Sequence, residues 1–157
     1  MWIYFVNDLS ILSHLKDWVT TALEQKEQHT RLPFTVIEKS ADKVIGSSSF
    51  GNISYHDSRI EIGWTWLASE FQGKGVNHQV KYLMLGYGFE TLNMQRIEFK
   101  TDVLNMAARN ALKKIGCFEE GVLRSHSLMI NNRRRDTIYY SILKSEWPEV
   151  KRKNKWT

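Results

Sequence analysis

A glycine-containing loop is the part of this 157-residue sequence whose residue types and spacing could do chemistry. It runs Gln72-Gly73-Lys74-Gly75-Val76-Asn77, between a predicted strand and a predicted amphipathic helix. Glycine lets the backbone turn sharply and approach a ligand without a Cβ. The first N–H groups of a helix are unpaired, and the helix dipole favours an anion there. With the charge of Lys74, the pattern suits a pyrophosphate, although two glycines before a helix are a weak signal alone.

Two other kinds of phosphate-binding loop fit these residues less well. A P-loop ends in Gly-Lys followed by Ser or Thr, whereas Gly73-Lys74 is followed by Gly75. A dinucleotide fingerprint needs a third glycine at position 78, and that position is His78. The strand before the loop also belongs to a predicted meander, which differs from the parallel sheet of a dinucleotide fold. Both alternatives are therefore weakened.

Hydrophobic periodicity predicts the elements that precede the loop. Apolar residues at helical spacing predict a helix from Ser10 to about Gln28, capped by Ser10 or Asn7. Strands at 34–38, 44–53 and 59–67 are joined by short polar turns, so an antiparallel meander is expected. Strict alternation would place the residues of the third strand on two faces, with Ile60, Ile62, Trp64 and Trp66 on one and Glu61, Gly63, Thr65 and Leu67 on the other.

The second half of the chain is predicted to contain a helix, a strand, a helix and a hairpin. The first helix runs from about Asn77 to Leu92, and Asn105 opens the second, which Gly116 stops. The strand covers 96–101 and the hairpin pairs 122–130 with 137–143, before a polar, flexible tail at about 149–157. The expected core face of the longer helix comprises Val80, Leu83, Met84 and Tyr87. This order defines an α+β class with one βαβ crossover around the glycine loop.

Composition narrows the classes of protein further. The 42% of hydrophobic residues is enough for a core, and Cys117 is the single cysteine, so a disulfide framework is excluded and a reducing, cytoplasmic setting is expected. No apolar run reaches the ~18 residues that span a membrane. The five histidines show no metal-ligand spacing, so no metal is expected. The net charge of +5 concentrates at Arg133–Arg135 and in the tail, where a solvated turn and a frayed terminus explain it better than nucleic acid does.

Four separated segments, in order, resemble the GNAT acetyltransferases. The loop is similar to their Q/R-x-x-G-x-G/A cofactor motif, and the stretch from Glu61 to Gly75 resembles the RimJ/RimL-type branch. So do the segments 101–105 and 114–121, and Arg135-Asp136-Thr137 before the last strand. The resemblance covers roughly 34–148. It implies one GNAT domain over 1–157, with a mixed, mostly antiparallel sheet flanked by helices.

The resemblance also implies where acetyl-CoA would bind. The cofactor would lie in a gap where the strands 60–67 and 97–101 splay apart, with its pyrophosphate on the amides of the loop. Backbone groups of Trp66 and Leu67 would pair with the pantetheine, and Asn105 would contact the cofactor. The sequence departs from the family at Asn77, where Gly or Ala is usual, and at Leu112, where many members carry a tyrosine near the sulfur. From the residues before position 34, the family's usual first strand and helix are expected to be missing.

Direct transfer from acetyl-CoA requires a neutral amine. At pH 7 deprotonation costs an α-amine with a pKa near ~8 about 1.4 kcal/mol and a lysine near ~10.4 roughly 4.6 kcal/mol, so a general base is helpful for the first and close to required for the second. Glu61 is the candidate base, because its strand enters the cofactor gap; pairing with Arg59 or Arg96 is the alternative role. The candidates for a group that stabilises the leaving thiolate are Asn105, Ser127, Tyr139 and Tyr140.

The sequence therefore predicts an N-acetyltransferase that modifies a primary amine, either a protein N-terminus or a small molecule. Two alternatives remain: a GNAT-like protein that binds CoA without catalysis, and a basic nucleic-acid-binding module. No membrane partner is expected, and a homodimer is compatible with the aromatic-rich composition. The acceptor is not identified, because the fold does not determine it.

Overall fold

A computed structural model describes residues 2–5 and 8–156 of the chain. Six strands and four α-helices follow one another as α1 (Leu12–Glu27), β1 (Arg31–Glu38), β2 (Lys43–Ser54), β3 (Arg59–Leu67), α2 (Val76–Gly86), β4 (Arg96–Asp102), α3 (Met106–Ile115), β5 (Phe118–Leu128), β6 (Arg134–Leu143) and α4 (Trp147–Asn154). A π-helical turn, Tyr87–Thr91, extends α2. None of the helices within the described residues is long and apolar enough to cross a membrane.

The six strands form one sheet in the order β1-β2-β3-β4-β6-β5. All neighbours are antiparallel except β3 and β4, which are parallel because α2 crosses over between them. Their pairing covers only Arg59–Glu61 against Arg96–Glu98. Beyond Glu61 the edge of β3 that faces β4 has no strand partner, whereas β4 stays paired with β6 up to Asp102. The structure thus confirms the predicted α+β class and the gap between the two central strands.

A β-bulge in β3 accompanies this divergence. Ser49 of β2 pairs with Gly63, and Ser47 pairs with Trp66. Two steps along β2 therefore correspond to three steps along β3, which holds one extra residue there. Trp64 adopts the left-handed conformation, with φ of 52°. Bulges bend a strand and increase its twist, which turns β3 away from β4.

The bulge also changes which residues share a face of β3, so the strict alternation predicted for this strand was wrong. The ring of Trp64 lies against Gly51, the partner of Glu61, and therefore on the face that carries Glu61. Thr65 lies on the opposite face, where it contacts α2. The guanidinium of Arg31 lies over Trp64, 4.6 Å from its ring centroid, and also packs on Trp18 of α1. This cation–π contact fixes the position of the bulged residue.

The main core lies between the sheet and helices α2, α3 and α4. Its sheet side is formed by apolar residues of the central strands, among them Phe50, Ile60, Ile62, Ile97 and Phe99. The predicted core face of α2 was partly wrong, because Leu83 and Tyr87 are exposed to solvent. The buried residues are Val80, Lys81, Met84 and Leu85, a stripe that includes a lysine.

Two further expectations were wrong at the ends of elements. The residue before α1 is Ile11, without a side-chain cap, so Ser10 does not cap the helix; Asn7 lies outside the described residues. The segment expected as a flexible tail is helical as far as Asn154. Val150 of α4 is buried, and Trp156 stacks on Tyr82 of α2, so apolar contacts hold this segment against the core.

Candidate active site

The glycine loop places a row of free amides at the start of α2. Gly73 and Gly75 have φ of 73° and 82°, the left-handed conformation in which glycine is favoured. The N–H groups of His78 and Gln79 both donate to the carbonyl of Gly75. Within the described part of the chain, the N–H groups of residues 73–77 have no acceptor. Such a row of donors at a helix N-terminus is suited to a phosphate group.

Several residues predicted to bind the cofactor surround this loop. Gln72 donates a hydrogen bond from Nε2 to the carbonyl of Leu67, 2.9 Å away, and so ties the loop to the end of β3. Lys74 is exposed, beside the row of amides. Asn77 Oδ1 and Trp66 Nε1 are buried polar atoms without a hydrogen-bond partner among the residues described. Because unpaired buried polar groups are costly, these atoms offer an acceptor and a donor to a polar ligand.

Glu61, the predicted base, is buried, and it is the last residue of β3 that pairs with β4. Lys100 Nζ lies 2.9 Å from its Oε2, and Asn52 Nδ2 donates to the same oxygen. The alternative partners Arg59 and Arg96 instead contact Glu98. Within the described residues both contacts of Glu61 fall on Oε2, which leaves Oε1 to accept a proton.

A polar cavity of about 420 Å³ opens beside Glu61 on this face of the sheet. Its lining includes two carboxylates, Glu61 and Glu98, and the phenol of Tyr139. Arg59 also lines it, and Arg96 pairs with Glu98 at 2.8 Å. The cavity therefore combines acceptors for an ammonium group with cations that balance their charge.

The residues considered as donors to the thiolate are not brought together. Asn105 caps α3, accepting a hydrogen bond on Oδ1 from the N–H of Ala108 at 3.1 Å. Tyr140 is fully buried and donates to Glu119. Ser127 contacts His126 at the far edge of the sheet, and Tyr139 lines the polar cavity. The contacts of these four residues do not identify any one of them as the donor to the thiolate.

Lys81 is a charged residue that sequence reasoning did not single out. It is only 6% exposed, and its Nζ donates to Thr65 Oγ1 at 2.8 Å. The same ammonium lies 5.6 Å from the ring centroid of Phe99 on β4. Burial lowers the pKa of Lys81 to about 8, because desolvation disfavours the charged form. The sequence did contain one indication that Lys81 is buried: it lies between Val80 and Met84, one position after a residue predicted to face the core.

Other reactive residue types have ordinary structural roles. Burial raises the pKa of the Cys117 thiol, which keeps it protonated and unreactive. His78 contacts Asn154 and Trp156 and so joins α2 to the C-terminal segment. In residues 2–5 and 8–156 no group of three or more His, Cys, Asp or Glu side chains is placed to hold a metal ion.

Comparison with known proteins defines the family to which this fold and site belong. Residues 2–117 match the family described as "Acetyltransferase (GNAT) domain". This chain is therefore a member of the GNAT acetyltransferase family, which confirms the resemblance found in the sequence.

Individual relatives agree with the family. The chain is 36% identical over 102 residues to "Putative ribosomal N-acetyltransferase YdaF" of Bacillus subtilis (strain 168), covering 65% of this chain and 55% of that protein, so the match spans little more than half of that relative. A GCN5-related N-acetyltransferase from Brucella melitensis superposes with a TM-score of 0.89 at 26% identity, over 98% of this chain and 68% of that one. A ribosomal-protein-S5-alanine acetyltransferase from Vibrio fischeri gives 0.71 at 25% identity, over 85% and 72%. A mutant of the spermidine N-acetyltransferase SpeG from Vibrio cholerae gives 0.74 at 26%, over 84% and 76%.

Proposed function

We propose that the protein transfers the acetyl group of acetyl-CoA to a primary amine by direct attack. The observation that carries this proposal is the gap between β3 and β4, which opens toward the free amides of residues 73–77. The amides would hold the pyrophosphate. The edge of β3 that has no strand partner, from Ile62 to Trp66, would hydrogen-bond the amide groups of the pantetheine as a neighbouring strand does.

Glu61 is the base in this proposal. The amine nitrogen bonds to the thioester carbon, the bond from that carbon to sulfur breaks, and the amine proton passes to Oε1 of Glu61. Lys100 and Asn52 hold Oε2, so the carboxylate keeps one orientation.

The polar cavity beside Glu61 is the proposed acceptor site. Glu61, Glu98 and Tyr139 can hydrogen-bond an ammonium group there. Two similar proteins are named for different acceptors, an alanine of ribosomal protein S5 and spermidine. Both acceptors carry a primary amine, so the proposal is made for that class.

Acetyl-CoA binding can be tested first by thermal denaturation. Ligand at 100 times its Kd should stabilise the fold by about 2.7 kcal/mol. The matched variants are Gly75→Ala, in the loop, and Gly86→Ala, in α2 away from it. Gly75→Ala should weaken the stabilisation and Gly86→Ala should preserve it. No stabilisation of the unmodified protein at millimolar acetyl-CoA would refute the proposal.

The transfer step can be tested by following release of the CoA thiol with two amines. An alanine-initiated peptide represents protein N-termini, and spermidine represents small polyamines. Thiol release with either amine supports acetyl transfer. Binding of acetyl-CoA without release with either amine would favour the alternative of a non-catalytic CoA-binding protein.

The structure does not favour the nucleic-acid alternative, because much of the basic charge has partners within the chain. Arg133 pairs with Asp102, and Arg152 Nη2 lies 2.6 Å from Glu149 Oε1. In the C-terminal segment, Lys151 Nζ lies 2.8 Å from Glu90. These contacts leave fewer free cations for a phosphate backbone than the sequence suggested.

A further inference from the structure

Lys81 lies in the gap between β3 and β4, on the face opposite Glu61. Its Nζ contacts Thr65, which is on the part of β3 without a partner on β4, and faces Phe99, the first residue of β4 beyond the parallel pairing. Lys81 comes five residues after Val76, so it lies about 7.5 Å along α2 from the glycine loop. A pantetheine arm that starts at the loop and enters between β3 and β4 would run along the part of β3 that carries Thr65, the residue to which Lys81 donates.

Among the described residues, none is a counter-ion to the ammonium of Lys81. Within the described residues no carboxylate lies within 4 Å of it, and its hydrogen-bond partner is the neutral hydroxyl of Thr65. The titratable group that influences it from the end of α3 is Cys117, whose thiol is neutral. Burying an unpaired cation is costly. The ammonium of Lys81 is therefore suited to pair with an anion, either one that a ligand brings or one that forms during a reaction.

We propose that Lys81 is the general acid that protonates the departing CoA thiolate. This inference rests on the proposed acetyl transfer. As the bond from carbon to sulfur breaks, its electron pair goes to sulfur, which takes a proton from Lys81. Glu61 takes the proton lost by the amine from the other face of the sheet, and solvent reprotonates Lys81 after the products leave.

The acidity of Lys81 matches this role. An ordinary thiol has a pKa of about 8.5, and burial brings the pKa of Lys81 to about 8. Proton transfer between groups of similar pKa is close to balanced, and at pH 7 about nine in ten Lys81 side chains still carry the proton to be donated. The proposed acid and base thus approach the thioester from opposite faces of the gap.

The test compares Lys81→Met with Lys114→Met, the same substitution at an exposed lysine of α3. In the unmodified protein, kcat should decline above pH 8 because Lys81 loses the proton that it donates. Lys81→Met should lower kcat by about 100-fold or more and should not show this decline. Acetyl-CoA should still stabilise the variant against heat. Lys81→Arg keeps a cation that does not release its proton, so it should also lose the decline above pH 8. Lys114→Met should behave as the unmodified protein.

The outcomes separate this inference from the proposed function. If the unmodified protein does not bind acetyl-CoA, the proposed function fails. If it binds and transfers acetyl groups but Lys81→Met keeps both kcat and the decline above pH 8, only the role of Lys81 fails. Acetylation of Lys81 itself, detected by mass spectrometry as a stable product, would also overturn that role, because it would make Lys81 an acceptor.

Discussion

Replacing Lys81 by methionine should make the fold more stable while it lowers kcat. In the folded chain burial lowers the pKa of Lys81 to about 8, from an ordinary value of 10.5. Because each pKa unit corresponds to about 1.36 kcal/mol, the protonated lysine costs the fold roughly 3 kcal/mol at pH 7. Losing the hydrogen bond to Thr65 offsets about 1 kcal/mol. Lys81→Met should therefore be about 2 kcal/mol more stable than the unmodified protein at pH 7.

The pH dependence of this difference follows from the sign of the shift. The folded-state pKa lies below the unfolded one, so the cost is fully present below pH 8. Between pH 8 and 10.5 the unfolded chain binds more protons, and the unmodified protein gains stability as the pH rises. The advantage of Lys81→Met should shrink across this window. Burial of Cys117 acts oppositely above its ordinary pKa of 9.0, and because the charge of Lys81 lowers the pKa of that thiol, its contribution cancels only in part, so the window from pH 7 to 9 is the decisive one.

Urea denaturation at pH 7, 8, 9 and 10 measures this difference directly. Lys114→Met, at an exposed position, should stay within about 0.5 kcal/mol of the unmodified protein. A Lys81→Met variant that is less stable at pH 7, or whose advantage does not change with pH, would refute the reasoning about an unpaired buried cation.

Three other predictions concern the loop, the base and a buried carboxylate. Glu61→Gln should lower kcat by about 100-fold and leave the thermal stabilisation by acetyl-CoA unchanged; undiminished turnover in a steady-state assay would reject Glu61 as the base. Gly75→Ala should lower the free energy of unfolding in urea by about 1 kcal/mol, because the φ of this residue is 82°. Gly86→Ala, whose added Cβ would approach only Trp147 at 3.9 Å, should instead stabilise α2 by up to about 1 kcal/mol. Equal effects of the two substitutions would contradict this argument about backbone conformation. Asp102→Ala should lower the free energy of unfolding by about 2–3 kcal/mol, since it leaves Arg133 without its ion pair and removes a fully buried carboxylate; an unchanged urea midpoint would be inconsistent with that contact.

Local patterns in the sequence predicted the elements well. The bounds of β3 and the cap residues Asn105 and Gly116 agree with the structure. These features depend on neighbouring residues: a run of strand-forming residues that begins after a polar turn, a side chain that accepts a hydrogen bond from the next helical turn, and a glycine in the left-handed conformation. The gap itself came from the family resemblance, since single-strand patterns do not report where two strands diverge.

Features that depend on distant partners were missed. The Glu61–Lys100 pair requires β3 and β4 to lie side by side in a particular register. The face of α2 was misjudged because apolar type was equated with burial, yet Leu83 is exposed and Lys81 is buried. Lys81 can be buried because Thr65 supplies an acceptor, and Thr65 faces α2 only because of the bulge.

The single extra residue of β3 has a consequence for how this chain tolerates change in length. Deleting Trp64 would bring Thr65 and Trp66 one position closer to Gly63 and return β3 to unbroken alternation against β2. Thr65 would then pair with Ser48 and keep its side chain toward α2, while the edge of β3, no longer bent by the bulge, would be free to continue its ladder with β4. A strand that is one residue shorter would close the opening with hydrogen bonds of its own, so the space for a ligand here depends on chain length at one position as much as on residue type.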